Sequence, residues 1–240
     1  MSNAQVHKLD AEITALARIA ETYTFKPVIP TILGRIMRSE FEFYFDDIMQ
    51  DGMIDVERLL PECFVRQLTT TGEIHALQRL NTQDPDEMRF NIINPRKTEG
   101  QNRPLTEKDY VYLAAYADAC HTDLLGFLVL NRRLVYEPPQ HDHAEDLTYY
   151  VNIEAIYTKK AARGRGVATY LATAAINAIV EDMETLHPLI PEGSTIMVLF
   201  YSEWLSTGGA NFCNNIVECV EFIQELREYN RFEIDADMTY

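Results

Sequence analysis

The 240-residue chain carries 21 lysines and arginines against 37 aspartates and glutamates, a formal net charge of −16, with 47% hydrophobic and 24% charged residues. Such a composition is globular and long enough for one sizeable core. The acidic balance argues against a nucleic-acid binder, which needs a basic face, and no run approaches the roughly 20 apolar residues of a membrane helix. The longest apolar runs, LLGFLVL at 124–130 and IMVLF at 196–200, are the size of strands. The opening MSNAQVHKLD lacks a basic-then-apolar export pattern, so a soluble, cytoplasmic protein with no membrane partner is expected. Four cysteines, at 63, 120, 213 and 219, form no CxxC pair, and the histidines have no zinc spacing. Reduced thiols and no metal are therefore expected. Strong negative charge also attracts cations over long range, which suits a cationic partner such as an amine.

In chain order, residues 5–23 read as an amphipathic helix, with Val6, Leu9, Ile13, Leu16 and Ala20 at three- and four-residue steps. Pro27 and Pro30 interrupt it. A second helix is expected over 31–49, bearing Ile32, Leu33, Ile36, Met37, Phe41, Phe43, Tyr44 and Ile48. The pattern changes near residue 62. CFVRQL reads as a short strand, and Thr70 with Glu73 forms a capping box that opens a helix bearing Ile74, Leu77 and Leu80. Residues 82–108 are polar, with prolines and a glycine, and read mostly as loop. YVYLAAYA (110–117) and DLLGFLVLNRRLVY (123–136) form a hairpin across DACHT. EPPQHDHAED is an acidic loop, and LTYYVNIEAIYT (147–158) is a strand rich in β-branched and aromatic residues. Helix is expected over about 165–185, strand over 194–201, helix over about 210–228 and strand over 231–236. The string predicts an α/β (α+β) protein with one mixed sheet covered by helices.

Between the strand ending at Thr158 and the helix that follows lies ARGRGVATYL. A loop of this kind presents successive backbone N–H groups, and the helix N-terminus adds partial positive charge. Gly164 and Gly166 remove side chains that would hold a ligand off the backbone, and Arg163 and Arg165 add permanent charge. Ala168, Ala172, Ala174 and Ala175 allow close packing of the helix on the sheet. The chemistry that uses all of this is pyrophosphate binding. A P-loop would need GxxxxGK[ST], which is missing. A dinucleotide fingerprint would need a third glycine where Thr169 stands in GRGVAT.

The stretch matches instead the R-x-x-G-x-G/A signature of the GNAT acetyltransferases, read as Arg163, Gly164, Arg165, Gly166, Val167 and Ala168. FVRQLTTTGEIHALQRL is similar to that family's first strand and helix. LLGFLVL, with Gly126, resembles its third strand. IEAIYT resembles the L-x-x-L-x-V pattern of its fourth, through Ile153, Ile156 and Thr158. The resemblance covers about 62–240, giving an N-terminal helical extension (1–60) and a GNAT domain (61–240). It implies acetyl-CoA, or another acyl-CoA, as cofactor. The pyrophosphate would rest on the amides of 163–168. The pantetheine arm would bond the main chain near Ile156, Tyr157 and Thr158 as an added half-strand, between fourth and fifth strands that splay apart.

The implied reaction is direct attack of a primary amine on the thioester, with a general base to take its proton, a backbone N–H to hold the oxyanion, and an acid for the thiolate. Glu154, four residues before Thr158 and so expected on the same strand face, is the base candidate, with Glu203 second and His141 and His143 in a nearby loop. Tyr229, near the end of the last helix, is the acid candidate, with an aromatic packing role as the alternative, since no glycine precedes Phe232 to make the family's usual glycine–phenylalanine pair. Asn211, Asn214 and Asn215 compete for the asparagine at the start of that helix. Glu218, Glu221, Glu225 and Glu228 fall on one face of it, either as a solvated face or as a field that gathers a cationic amine. The acceptor would be a small molecule or a protein amine. The N-terminal helices could cover the site, form a homodimer or bind a partner. Rival readings are a catalytically silent acyl-CoA-binding regulator or interaction protein, an acyl-homoserine-lactone synthase, and an unrelated α/β domain in which RGRG is only a turn.

Overall fold

The computed structural model describes residues 3–28, 31–32, 63–83, 110–137, 146–203 and 207–239. The elements in chain order are α1 (Asn3–Thr22), β1 (Thr31–Ile32), β2 (Phe64–Leu68), α2 (Thr71–Gln83), β3 (Tyr110–Tyr116), β4 (Leu124–Glu137), β5 (Asp146–Thr158), α3 (Val167–Leu186), β6 (Ile196–Glu203), α4 (Thr207–Leu226) and β7 (Phe232–Thr239). Short 3-10 turns occupy Lys160–Ala162 and His187–Leu189.

Among the described residues, seven strands join one sheet in the order β1-β2-β3-β4-β5-β6-β7. Neighbours from β1 to β5 are antiparallel, whereas β5–β6 and β6–β7 are parallel. A tight hairpin cannot join parallel neighbours, and α3 and α4 supply the two crossovers. The protein is therefore α/β with a mixed sheet, as the element string predicts. β1 precedes the strand at 64–68, so the strand at 146–158 is the fifth of the sheet.

The sheet separates two apolar layers. The larger is formed by α1, α3 and α4 against one face, with Leu171, Ala174, Ala175, Ile179, Met183, Ile216 and Val220 buried there. The small residues of α3 serve this close approach. The smaller layer gathers Leu77 of α2 with Tyr110, Tyr112, Phe127, Val129, Ala155 and Tyr157. The Thr70 capping box forms as expected: Thr70 Oγ1 accepts from the Glu73 N–H at 3.4 Å, and Glu73 Oε2 accepts from the Thr70 N–H at 3.3 Å.

Two expectations change at the N-terminus. Thr31 and Ile32 do not open a helix; they pair with Val65 and Phe64 as an edge strand, while 33–49 lies outside the described residues. Nor is the described part of 1–60 an appendage. Leu16, Ile19 and Val28 belong to the larger core layer, and the Val28 N–H donates to Gln67 Oε1 at 2.7 Å. Among the described side chains of α1, Leu16 and Ile19 are thus buried within the chain. The core continues across the division at 60/61.

The segment after α1 is held by buried charge. Arg132 of β4 and Asp182 of α3 pair at 2.7 Å with their side chains only 3% and 2% exposed. The Tyr149 hydroxyl donates to the same Asp182 oxygen at 2.6 Å, the Tyr23 hydroxyl reaches the other at 3.3 Å, and Arg132 Nη2 donates to the Lys26 carbonyl at 2.9 Å. Phe25 stacks on Tyr149 and lies against the Arg132 guanidinium.

Candidate functional site

β5 and β6 run together from Leu147↔Ile196 to Asn152↔Tyr201 and then part. Beyond that row β5 continues to Thr158 on β4 alone, while β6 continues to Glu203 on β7 alone. The sheet therefore opens at the C-terminal ends of two adjacent parallel strands.

A β-bulge sits at the mouth of the opening. Leu130 pairs with Ile153 and Val129 with Ala155, leaving Glu154 as the extra residue. Ile153 packs in the layer under α3, whereas Ala155 and Tyr157 pack in the layer of α2. The alternation of faces resets here, so the four-residue spacing from Glu154 to Thr158 does not place both on one face, contrary to the simple strand rule. Half-buried Glu154 sides with Asn152, whose Nδ2 donates to Glu154 Oε1 at 2.6 Å.

The main chain past the bulge has a definite orientation. The Lys159 N–H donates to the Leu125 carbonyl at 2.9 Å. A Cβ built on Gly126 would lie 2.5 Å from the Tyr157 carbonyl oxygen. Tyr157 and Lys159 thus turn their main-chain groups toward β4, and by alternation those of Ile156 and Thr158 face the opening. Tyr157 is accordingly corrected from a main-chain partner of a ligand to a core residue, 5% exposed, with its ring 5.5 Å from that of Phe127. The Thr158 carbonyl accepts from Arg163 Nε at 3.2 Å, which leads the chain into the loop.

Gly164 has φ +72° and Gly166 φ +79°, both in the left-handed region that favours glycine. Gly166 is the N-cap of α3 and brings no side chain to its first-turn amides. Among the described residues, a Cβ on Gly164 would meet nothing within 4 Å, so these leave the space open. Val167 is buried and anchors the helix start, Ala168, Arg165 and Gly166 are half-buried, and Arg163 and Gly164 are exposed. Lys159 and Lys160 flank the loop, with Lys159 3.6 Å from Asp123. The arrangement offers backbone amides, a helix N-terminus and cationic side chains to an anion.

Tyr229 is not part of this end of the molecule. Its ring lies 5.4 Å from His187 and 6.5 Å from Phe232, and Phe232 pairs with Ile196 at the start of β6. That is the opposite end of the sheet from the loop, on the order of 30 Å away along β5. Tyr229 is an aromatic packing residue and cannot be the acid. Glu203 ends β6 beside the opening, with its side chain outside the described residues, as are His141 and His143 altogether. On α4, Asn211 and Asn214 are exposed and Asn215 half-buried. Glu218, Glu221 and Glu225 are exposed along that helix, but Glu228 lies past its end at φ +55°.

A further surface becomes visible only in the folded sheet. Cross-strand register aligns Thr148–Met197–Glu233, Tyr150–Leu199–Asp235 and Asn152–Tyr201–Asp237, on the face that Glu154 shares with Asn152. Met197, Leu199 and Tyr201 are half-buried and the three β7 carboxylates exposed. Arg133 lies over the Tyr150 ring at 4.6 Å on the β4 side. The signal was present as Glu-x-Asp-x-Asp in a strand, but its position beside the opening depends on sheet order. Cys63, Cys213 and Cys219 are buried free thiols and Cys120 is exposed. Among the described residues no cluster of His, Cys, Asp or Glu could hold a metal ion, and no helix is long and apolar enough to cross a membrane.

No family model and no curated protein matches the chain. Among solved structures, Arabidopsis thaliana NAA60 in complex with acetyl-CoA matches at 15% identity over 66% of this chain and 85% of that one, with a TM-score of 0.37. The xEco2 acetyltransferase domain bound to a K105-CoA conjugate matches at 11% identity over 65% and 88%, with a TM-score of 0.35. A mutant of the BH1408 protein from Bacillus halodurans matches at 14% identity over 68% and 90%, with a TM-score of 0.33. The chain is thus similar, remotely and at low identity, to structures that include acetyltransferases.

Proposed function

We propose that the chain is a GNAT-type N-acetyltransferase that takes acetyl from acetyl-CoA and passes it to a cationic primary amine. The observation that carries this reading is the coincidence of two features at one end of the sheet: the parting of β5 from β6 after Asn152↔Tyr201, and the Arg163–Ala168 loop with two left-handed glycines at the N-terminus of α3. The open space over Gly164 and the main-chain groups of Ile156 and Thr158 fit a diphosphate followed by an amide-bearing arm. When bound, acetyl-CoA supplies an activated acyl group as its thioester.

The chain's own residues do the rest. The amides of 163–168, with Arg163 and Arg165, hold the diphosphate. Ile156 and Thr158 direct the arm along β5. Glu154, at the bulge beside Asn152, accepts the proton of an amine whose ordinary pKa is about 10. The carboxylates of Glu233, Asp235 and Asp237 draw the protonated amine toward that face.

The test is thermal unfolding with acetyl-CoA, CoA, NAD and ATP in parallel. A ligand at 100 times its Kd that binds only the folded state adds about 2.7 kcal/mol and raises the midpoint by several degrees. A shift with acetyl-CoA and CoA alone, followed by acetylation of a polyamine or a basic peptide, supports the proposal. A shift without turnover on any amine favours an acyl-CoA-binding regulator, and no shift overturns both.

A further inference from the structure

In the parallel register of β5 and β6, the row after Asn152↔Tyr201 would pair Ile153 with Ser202. The strands part there instead. At that position the Ser202 hydroxyl donates to the Ile153 carbonyl at 3.2 Å, a side-chain bond where the ladder ends. Both residues are buried, 4% and 7% exposed. Ser202 Oγ also lies 3.5 Å from the Cys213 sulfur on α4. Burial pushes the Cys213 thiol up to about 11, so at neutral pH it keeps its proton. The single Ser202 proton is engaged with Ile153, which leaves the Cys213 S–H to donate to Ser202. A relay of α4 thiol, β6 hydroxyl and β5 carbonyl spans the point of divergence.

We infer that Ser202 is a positioning residue that fixes the apex of the β5–β6 opening and, with it, the Ile153–Glu154 peptide at the acyl end of the site. The inference rests on the acyl-CoA reading. A buried carbonyl without a donor is unfavourable. Without the hydroxyl, the strands relieve it by zipping one row further or by opening one row earlier. Either change moves the bulge and the Glu154 carboxylate. The loop at 163–168 lies beyond the far end of this stretch, roughly 16 Å along β5 from Ile153, so the nucleotide end of the ligand is unaffected.

Calorimetric titration of wild type, Ser202→Ala and Ser202→Thr with acetyl-CoA and with adenosine bisphosphate, the nucleotide fragment alone, tests this. The expected result is about tenfold weaker acetyl-CoA binding in Ser202→Ala, the scale of one buried hydrogen bond, with fragment affinity unchanged. Ser202→Thr, which keeps the hydroxyl, should recover wild-type affinity. Equal weakening of both ligands, a lowered melting temperature with unchanged affinities, or failure of threonine to restore binding would each overturn the inference. Wild-type protein that binds neither ligand would remove the acyl-CoA reading and this inference with it. Wild-type binding with indifferent variants would remove the inference alone.

Discussion

Arg132 and Asp182, fifty residues apart in the chain, form a buried ion pair at 2.7 Å beneath the segment that follows α1. Removing one partner strands the other's charge in the core, which costs about 3–5 kcal/mol. Asp182→Asn is therefore expected to lower urea stability by that amount. It should also expose residues 23–28 to protease, because the Lys26 carbonyl is held by the same guanidinium. Tyr23→Phe should lower stability by only about 1 kcal/mol, since its bond to Asp182 is long at 3.3 Å and half-buried.

Gly164 separates backbone strain from ligand contact. Asparagine tolerates the left-handed region better than alanine does, so Gly164→Asn should be nearly as stable as wild type. Gly164→Ala should lose about 1–2 kcal/mol. Both place atoms in the space that the described residues leave open. Both should weaken CoA binding measurably in a titration, and CoA affinity that survives Gly164→Asn would remove the loop from the binding site.

The pH dependence of stability has a contributor at α2. The Arg66 guanidinium, then Thr70, hold the Glu73 carboxyl below its usual range. A depressed carboxylate stabilises the fold above its unfolded pKa, near 4.5, and that contribution is lost as pH falls through the folded value. Glu73→Gln should therefore show a smaller stability loss below about pH 4.5 than wild type in urea titrations. Because the pair is partly exposed, raised salt should narrow the difference.

The β7 carboxylates address acceptor choice. Replacing Glu233, Asp235 and Asp237 by their amides should raise KM for a polyamine acceptor several-fold at low salt, with kcat little changed and acetyl-CoA affinity intact. The effect should shrink at high ionic strength. An unchanged KM would place the amine elsewhere. The exposed acids of α4 serve as a matched control of equal charge.

Local grammar was readable from the chain. The capping box at Thr70 and Glu73, the hairpin across 118–122 and the glycines of the Arg163–Ala168 loop each depend on neighbours within a few residues, and each formed where the residue types placed it. Long-range relations were not readable. Nothing near Tyr229 says that the last helix carries it back to the far end of the sheet. The spacing of Glu154 and Thr158 obeys the two-residue rule of an unbroken strand, and a bulge is invisible to that rule. Arg132 and Asp182 each look like surface charges until the fold brings them together. The Ser202 hydroxyl acquires its role only because β5 and β6 separate at its own row.

The extra residue at position 154 acts on β5 as a frameshift acts on a reading frame. Upstream of it odd-numbered side chains address the layer of α3; downstream they address the layer of α2. Excising Glu154 would therefore leave the rest of the strand in frame. Ile153 and Ala155 already pair with the adjacent β4 residues Leu130 and Val129, so the shortened strand would run on unbulged, with Tyr157 still against Phe127 and the peptide groups of Ile156 and Thr158 still facing the opening. A single deletion would take out the carboxylate at the mouth, with the edge on which a ligand could lie and every glycine of the neighbouring loop still in place.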